Sequence, residues 1–251
     1  MPTEEYRIEV SGGQCRLRLN DWDARAFGFK VTEILELEAG SSELISAINE
    51  RALSLGSSLT ICRHSASDIA TKGQFLSHGY YIAECAMLMS VPAAQARAEF
   101  KMEFHPALES QMPEVTALAT KEFRYSRFHE DPNIDPALAS LRYANWVGDL
   151  HDAGKLLVSV NSAGRVIGFI SYALGNNNSL DLVLAGVAPE YRGLGALFLQ
   201  AMVNHVRPFG SPLKAMVSAA NHAALNVYLQ MGFKVAATYY DYHKLHDKRP
   251  R

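Results

Sequence analysis

Val187-Ala-Pro-Glu-Tyr-Arg-Gly-Leu-Gly-Ala-Leu197 is the stretch that decides the fold. Before it, Leu180-Asp-Leu-Val-Leu-Ala-Gly-Val187 is apolar enough for a buried strand. After it, residues 196–206 are apolar at helical spacing and rich in helix formers. Gly193 and Gly195 are expected to take backbone angles closed to other residues and, lacking side chains, to let a ligand reach the main chain. The first amides of the following helix then point at one spot beside the positive end of its dipole, a ready place for phosphate oxygens. Arg192 adds a positive charge there. A plain glycine turn between strand and helix is the alternative, and the residues that follow discriminate.

From Tyr191 to Tyr240 there is no Asp or Glu, while Arg192, Arg207, Lys214 and Lys234 are present. In a chain with Lys+Arg 24 against Asp+Glu 26, this is the basic segment. Such a local field steers an anion. A dinucleotide fold for NAD places an acidic residue about twenty residues beyond its glycines. Residues 213–217 hold none, which counts against NAD.

Pro208, Gly210 and Pro212 break the helix, and residues 213–219 alternate as a strand. Asn221 is placed to cap a helix running to about Met231, which Gly232 ends. Residues 235–242, β-branched and aromatic, read as a final strand. Asn221 has two readings, helix cap or ligand contact. Tyr228, two helical turns on and hence on the same face, is either a half-buried aromatic or a site residue.

The order strand, Arg192-Gly-x-Gly turn, helix, strand, Asn221-x-x-Ala224-x-x-x-Tyr228-x-x-x-Gly232-Phe233, strand resembles the second half of a GNAT-superfamily N-acetyltransferase. The resemblance implies an α/β fold with a mixed sheet and a site for acetyl-coenzyme A as co-substrate, with no metal. It implies that Arg192, Gly193, Leu194, Gly195, Ala196 and Leu197 hold the pyrophosphate, and that the backbone at Gly186 and Val187 pairs with the pantetheine arm. Asn221 would lie near that arm, and Tyr228 would protonate the departing thiolate. Leu197 departs from the motif, whose sixth position is usually Gly or Ala.

The segment Phe123-Arg-Tyr-Ser-Arg-Phe-His-Glu-Asp-Pro132, with Tyr143-Ala-Asn-Trp146 and Asp21-Trp-Asp-Ala-Arg-Ala-Phe-Gly-Phe29, is similar to parts of dTDP-fucosamine acetyltransferases. That likeness implies a nucleotide-linked 4-amino-4,6-dideoxyhexose as acceptor. Taken alone, residues 123–132 are either an ordinary solvated loop or a lid over a sugar nucleotide. In the second case Arg127, Phe128, His129, Asp131 and Tyr143 are the contacts, arginine suiting forked phosphate bonds and aromatics stacking. His129, Glu130 and Asp131 are base candidates by location alone.

The N-terminal half carries an echo. Leu59-Thr-Ile-Cys-Arg-His64, residues 68–78, Gly79-Tyr80 and residues 82–91 repeat the strand, helix, Gly-aromatic, strand order of residues 213–245. Aligning the two sets Asp68 opposite Asn221 and Phe75 opposite Tyr228. Phe75 has no hydroxyl, and no Arg-Gly-x-Gly turn precedes this repeat. It reads as a degenerate module that shapes the site without binding the coenzyme, or as coincidence between two common units. The expected organisation is an accessory domain at 1–95 and a GNAT domain at 103–251, joined through the Ala- and charge-rich residues 92–103.

The 251 residues, 48% hydrophobic and 20% charged, suit a globular protein of one large or two smaller domains. Residues 1–6 show no secretion signal, and no run approaches the roughly 20 apolar residues that cross a bilayer. Cys15, Cys62 and Cys85, odd in number and widely spaced, suggest reduced thiols in cytoplasm. The expected partner is a small-molecule amine, probed first as a nucleotide sugar; nucleic acid and membrane are not expected, and a homodimer is compatible. Acetylation of a protein, polyamine or antibiotic amine, or acyl-coenzyme A binding without catalysis, are the alternatives.

Overall fold

The computed structural model describes residues 4–246. Among these residues eleven strands form one mixed sheet. The first half of the chain supplies β1 (Glu5–Val10), β2 (Gly13–Leu19), β3 (Val31–Glu38), β4 (Leu59–Ser65) and β5 (Tyr81–Val91). Its helices are α1 (Asp21–Phe27), α2 (Ser42–Ser54) and α3 (Ile69–Ser77). The second half supplies β6 (His105–Pro106), α4 (Met112–Glu122), α5 (Pro136–Asp152), β7 (Leu157–Val160) and β8 (Val166–Leu174). It ends with β9 (Leu180–Val187), α6 (Gly195–Val206), β10 (Leu213–Ser218), α7 (His222–Gln230) and β11 (Lys234–Leu245).

These elements form where side-chain periodicity permits. In β9 every second residue, Leu180, Leu182, Leu184 and Gly186, is buried, as one core-facing side of a strand requires. In α6 the buried Phe198, Ala201, Met202, Val203 and Val206 recur at helical spacing.

Across the sheet the order is β1-β2-β3-β4-β11-β5-β10-β9-β8-β7-β6. The last strand of the chain, β11, therefore lies between β4 and β5, antiparallel to both. In turn β5 separates β11 from β10. Each strand-helix-strand repeat has given its final strand to the other half. Strand directions read nearly the same from either end: β3 and β4 are parallel, β9 and β10 are parallel, and the central pairs are antiparallel. The division of the chain near residues 92–103 is thus not a division of the sheet. Ala96 and Ala98 of that segment are buried in the core around β10 and α6, and the Arg97 amide bonds the Met231 carbonyl at 2.8 Å.

The repeats also agree in detail. Asp68 and Asn221 both cap their helices, accepting from the amides of Thr71 (3.0 Å) and Ala224 (3.2 Å). Gly79 and Gly232 both have positive φ, 82° and 89°. Phe75 and Tyr228 are both buried. Coincidence between two unrelated units does not account for agreement at all of these places.

Candidate active site

The site begins with a pairing that stops. β9 and β10 pair only at Leu213↔Leu180, Lys214↔Asp181 and Ala215↔Leu182. Beyond them β10 continues against β5 as far as Ser218, while β9 continues to Val187 against β8 alone. The two strands splay apart, and β9 has no partner strand on one side. A register shift against β8 leaves Val183 as an extra residue, a bulge at the fork. A cleft of about 520 Å³ opens there, walled by Leu182 to Ala185 on one side and by Ala215 to Ser218 on the other.

The glycine turn lies beyond the end of β9. It is a 3₁₀ segment, Pro189–Leu194, that runs straight into α6. Here the structure corrects the sequence reading. Neither Gly193 nor Gly195 has a positive φ, and Gly195 is helical at φ −54°. A Cβ at either position would meet nothing within 4 Å. The fold needs glycine at neither position, because the continuous helical path removes the sharp turn; what the glycines leave is bare main chain. Gly186 is the opposite case: a Cβ there would lie 2.5 Å from Leu118 and 2.8 Å from Phe169, so packing alone requires it.

At the start of α6, Leu194 occupies the cap position and no side chain accepts from the first-turn amides. The Gly195 amide closes onto the Arg192 carbonyl, and no side chain competes for the other first-turn donors. Gly193, Leu194, Ala196 and Leu197 are exposed around them. Arg192 is exposed too, but its guanidinium forks onto Glu122 at the end of α4, with contacts of 2.7 to 2.9 Å.

Asn221 and Tyr228 both line the cleft. The Asn221 carboxamide oxygen is committed to the cap, which leaves its NH₂ group for a ligand. Tyr228 is buried, and its hydroxyl has no hydrogen-bond partner among the described residues. Burial pushes its pKa up, so the phenol stays protonated and able to donate.

The far wall is charged and aromatic. Phe123 stacks on Tyr143 at 4.6 Å, and both line the cleft with Tyr125 and Trp146. Arg127 lines it as well, within 3.5 Å of Asp241, 3.6 Å of Asp23 and 3.8 Å of Glu33. Of the loop and helix residues that the sequence pointed to, Arg127 and Tyr143 therefore reach the cleft wall. The other three do not line it. Phe128 is 1% exposed and packs on Phe27 at 4.8 Å. His129 bonds the Ser126 hydroxyl through Nδ1 at 2.9 Å, and burial and the Arg142 charge lower its pKa. Asp131 accepts from His243 Nδ1 (2.7 Å), the Asn133 amide (2.8 Å) and the Tyr81 hydroxyl (2.9 Å). Burial opposes its ionisation, but the bonds from His243 and Asn133 outweigh that and lower its pKa.

Sequence reasoning missed the wall's contribution from the first half of the chain. Glu33 of β3, Arg63 of β4 and Glu84 of β5 line the same cleft, as does Arg142 of α5. Arg63 forks onto Asp241 of β11 (2.8 to 3.1 Å) and touches Glu84 at 3.3 Å. Burial, then the Asp241 charge, raise the Glu84 pKa to about 8 against the pull of Arg63. The signal was there to find: Glu84 is the one charged residue in an eleven-residue strand of otherwise neutral, mostly apolar side chains.

Splayed strands, a helix without a side-chain cap after a glycine turn and a buried cleft tyrosine lie together in one mixed α/β fold. Residues 112–233 match the model of the acetyltransferase (GNAT) family, which supports acyl transfer as the chemistry. No curated protein sequence matches the chain. Among solved structures it is similar to a tandem GNAT protein from the clavulanic acid biosynthesis pathway, with TM-score 0.65 and 14% identity over 99% of this chain and 85% of that one. It is similar to a GCN5-related N-acetyltransferase from Sphaerobacter thermophilus, with TM-score 0.62 and 14% identity over 92% and 76%. A GCN5-related glucosamine N-acetyltransferase region of a fungal multi-domain GH3 β-N-acetylglucosaminidase gives TM-score 0.61 and 15% identity over 92% of this chain and 31% of that one. The fold, with one mixed α/β sheet running through both halves of the chain, fits a two-domain GNAT arrangement. Among the described residues no helix is long and apolar enough to cross a membrane.

Proposed function

We propose that the chain moves an acetyl group from acetyl-coenzyme A to a primary amine, and that the acceptor is an amino sugar, carried on a nucleotide. One observation carries the reading: the fork between β9 and β10 opens into the same cleft as Tyr228 and the charged aromatic wall. The bare turn from Arg192 to Leu197 and the uncapped start of α6 suit the pyrophosphate. The free edge of β9 beside Gly186 and Val187 suits the amide-bearing pantetheine arm. A backbone amide there meets the oxyanion. The Tyr228 phenol gives its proton to the leaving thiolate. For the acceptor, Tyr125, Tyr143 and Trp146 offer faces for a sugar or base, and a glucosamine N-acetyltransferase region has a similar fold.

An amine without phosphate is the second reading, and the ion pairs favour it. Arg63, Arg127 and Arg142 each already face carboxylates, so a diphosphate must displace some of them. Mass spectrometry after incubation with acetyl-coenzyme A decides between the two. An added acetyl group on a dTDP-4-amino-4,6-dideoxyhexose supports the first reading; acetylation of spermidine or glucosamine alone supports the second. Absence of acetyl-coenzyme A binding by calorimetry overturns both.

A further inference from the structure

We propose that Glu84, supplied by the first half of the chain through the exchanged strand β5, is the general base that takes the proton from the acceptor's ammonium group. This rests on the acetyl-transfer reading above.

Placement comes first. Ser218, the last residue of β10, pairs with Ala86 of β5, so Glu84 lies just beyond the end of β10, where the coenzyme wall meets the charged wall. The Ala219 amide bonds the Cys85 carbonyl at 2.7 Å and fixes this junction. Availability comes second. Among the described residues lining the cleft, only Glu33 and Glu84 carry carboxyl groups, and none is a histidine. Glu33 accepts from Arg18 (2.8 and 3.1 Å) and Asn20 (3.0 Å) at Oε2, with Arg127 3.8 Å from Oε1, so two arginines face its charge. Glu84 is 6% exposed, takes one long bond from Arg63 at 3.3 Å and shares a hydrogen bond with the Asp241 carboxylate. With one long bond from a single arginine and a carboxylate beside it, Glu84 is less neutralised than Glu33, as a base requires.

The surroundings set its strength. Facing it are Arg63 from β4, Asp241 from β11, and Arg127 and Glu130 from the loop before α5, with Tyr143 from α5 itself. Burial and the Asp241 charge dominate and hold the carboxyl at a pKa of about 8. A base of that strength suits an ammonium near neutral pH. Glu130 is occupied by the Ser218 hydroxyl at 2.6 Å, and Asp131 by its three partners.

The protons balance. Glu84 takes one proton from R–NH₃⁺, and the nitrogen lone pair forms the C–N bond at the thioester carbon. Collapse breaks the C–S bond, and the thiolate takes the Tyr228 proton. The second proton lost by nitrogen restores the Tyr228 phenol, and the Glu84 proton leaves to solvent. The products are the amide, the thiol of coenzyme A and one proton.

The test uses acetyl-coenzyme A with whichever of dTDP-4-amino-4,6-dideoxygalactose, glucosamine and spermidine the protein acetylates. Glu84→Gln keeps the shape and an acceptor for Arg63. Its kcat is expected to fall about 10²-fold at unchanged acetyl-coenzyme A affinity. In the unaltered protein kcat rises with pH through about 8, because only the ionised carboxylate accepts a proton. In Glu84→Gln that limb disappears, whereas a limb owed to the amine itself persists. Glu84→Asp is expected to restore the limb at reduced rate. Acetylation by Glu84→Gln at full kcat with the limb intact overturns the proposal and leaves the acetyl-transfer reading standing. Failure to bind acetyl-coenzyme A, or to acetylate any of the three amines, overturns that reading and this one with it.

Discussion

The two halves of the sheet contain the same crossover, strand-helix-parallel strand, and treat the start of its helix in opposite ways. In β3-α2-β4 the Ser41 hydroxyl caps α2, accepting from the Leu44 amide at 3.2 Å. In β9-α6-β10 the cap position is Leu194 and no side chain accepts. The helices that follow differ in the same sense. Phe75 of α3 is fully buried, stacked on Tyr242 at 4.7 Å and packed edge-on against Tyr80 at 4.8 Å. Tyr228 of α7 borders the cleft with an unpaired hydroxyl. Buried side-chain atoms without a partner occur on both sides of the sheet, at Thr32, Tyr242 and His243 around β3 and β11 and at Ser171 in β8, so the halves differ at the helix start and at the cleft phenol. Unsatisfied donors cost stability. What separates the two copies is that the second lets its unpartnered phenol border the cleft.

The comparison breaks most sharply at Gly195. A Cβ there has open space, so Gly195→Glu is expected to fold with a melting temperature near that of the unaltered protein. If the turn holds the pyrophosphate as proposed, the carboxylate stands in its place, and acetyl-coenzyme A affinity should drop by 10²-fold or more, on the order of 3 kcal/mol. Calorimetry checks this. Unchanged affinity in the folded variant removes the turn from the site.

Tyr228→Phe makes α7 resemble α3. It removes one unpartnered oxygen, so packing against Phe233 (5.0 Å) and stability should hardly change. Loss of the proton donor should lower kcat about 10²-fold at nearly constant coenzyme affinity. Full kcat across the pH range, measured where chemistry limits the rate, means that α7 and α3 do not differ in the way argued.

These two experiments act on residues that could be read from the chain, and the reason is distance along it. The strand, turn, helix and capping Asn221 sit within one continuous run, so local periodicity and glycine placement reveal them. That the glycines leave bare main chain was legible, but their backbone angles were not, because the 3₁₀ path through Pro189–Leu194 makes the turn without positive φ. Asp131 read as an acceptor contact and base candidate in a loop; its partners Tyr81 and His243 come from β5 and β11, far away in sequence, and draw it off the cleft. The same strand exchange hid Glu84 and Arg63. Nothing local says that β5 will lie between β11 and β10, and without that placement a carboxylate in an apolar strand has no visible role.

At the seam between the halves, Arg127 meets Asp23 and Glu33 from one side and Asp241 from the other. Arg127→Lys keeps the charge but loses the planar fork. If the loop grips the acceptor, acceptor KM should rise roughly tenfold with acetyl-coenzyme A binding intact. A rise in coenzyme Kd with acceptor KM unchanged would place Arg127 on the wrong wall.

The smallest effects test the helix starts directly, by exchanging their character. Ser41→Ala removes the α2 cap and should cost about 1 kcal/mol of stability, with no change in acetyl-coenzyme A affinity. Leu194→Asp sets a carboxylate at the uncapped start of α6, where the helix dipole favours it by a few tenths of a kcal/mol. Stability should therefore rise slightly, while the carboxylate competes with phosphate for the same amides and weakens coenzyme binding several-fold at low salt. The coupling is the informative part. At α2 stability moves and binding does not; at α6 they move in opposite directions, because there the amides serve either the fold or the ligand. Tighter binding by Leu194→Asp, or binding that follows stability at both helices, would show that the open start of α6 is not where the coenzyme's phosphates go.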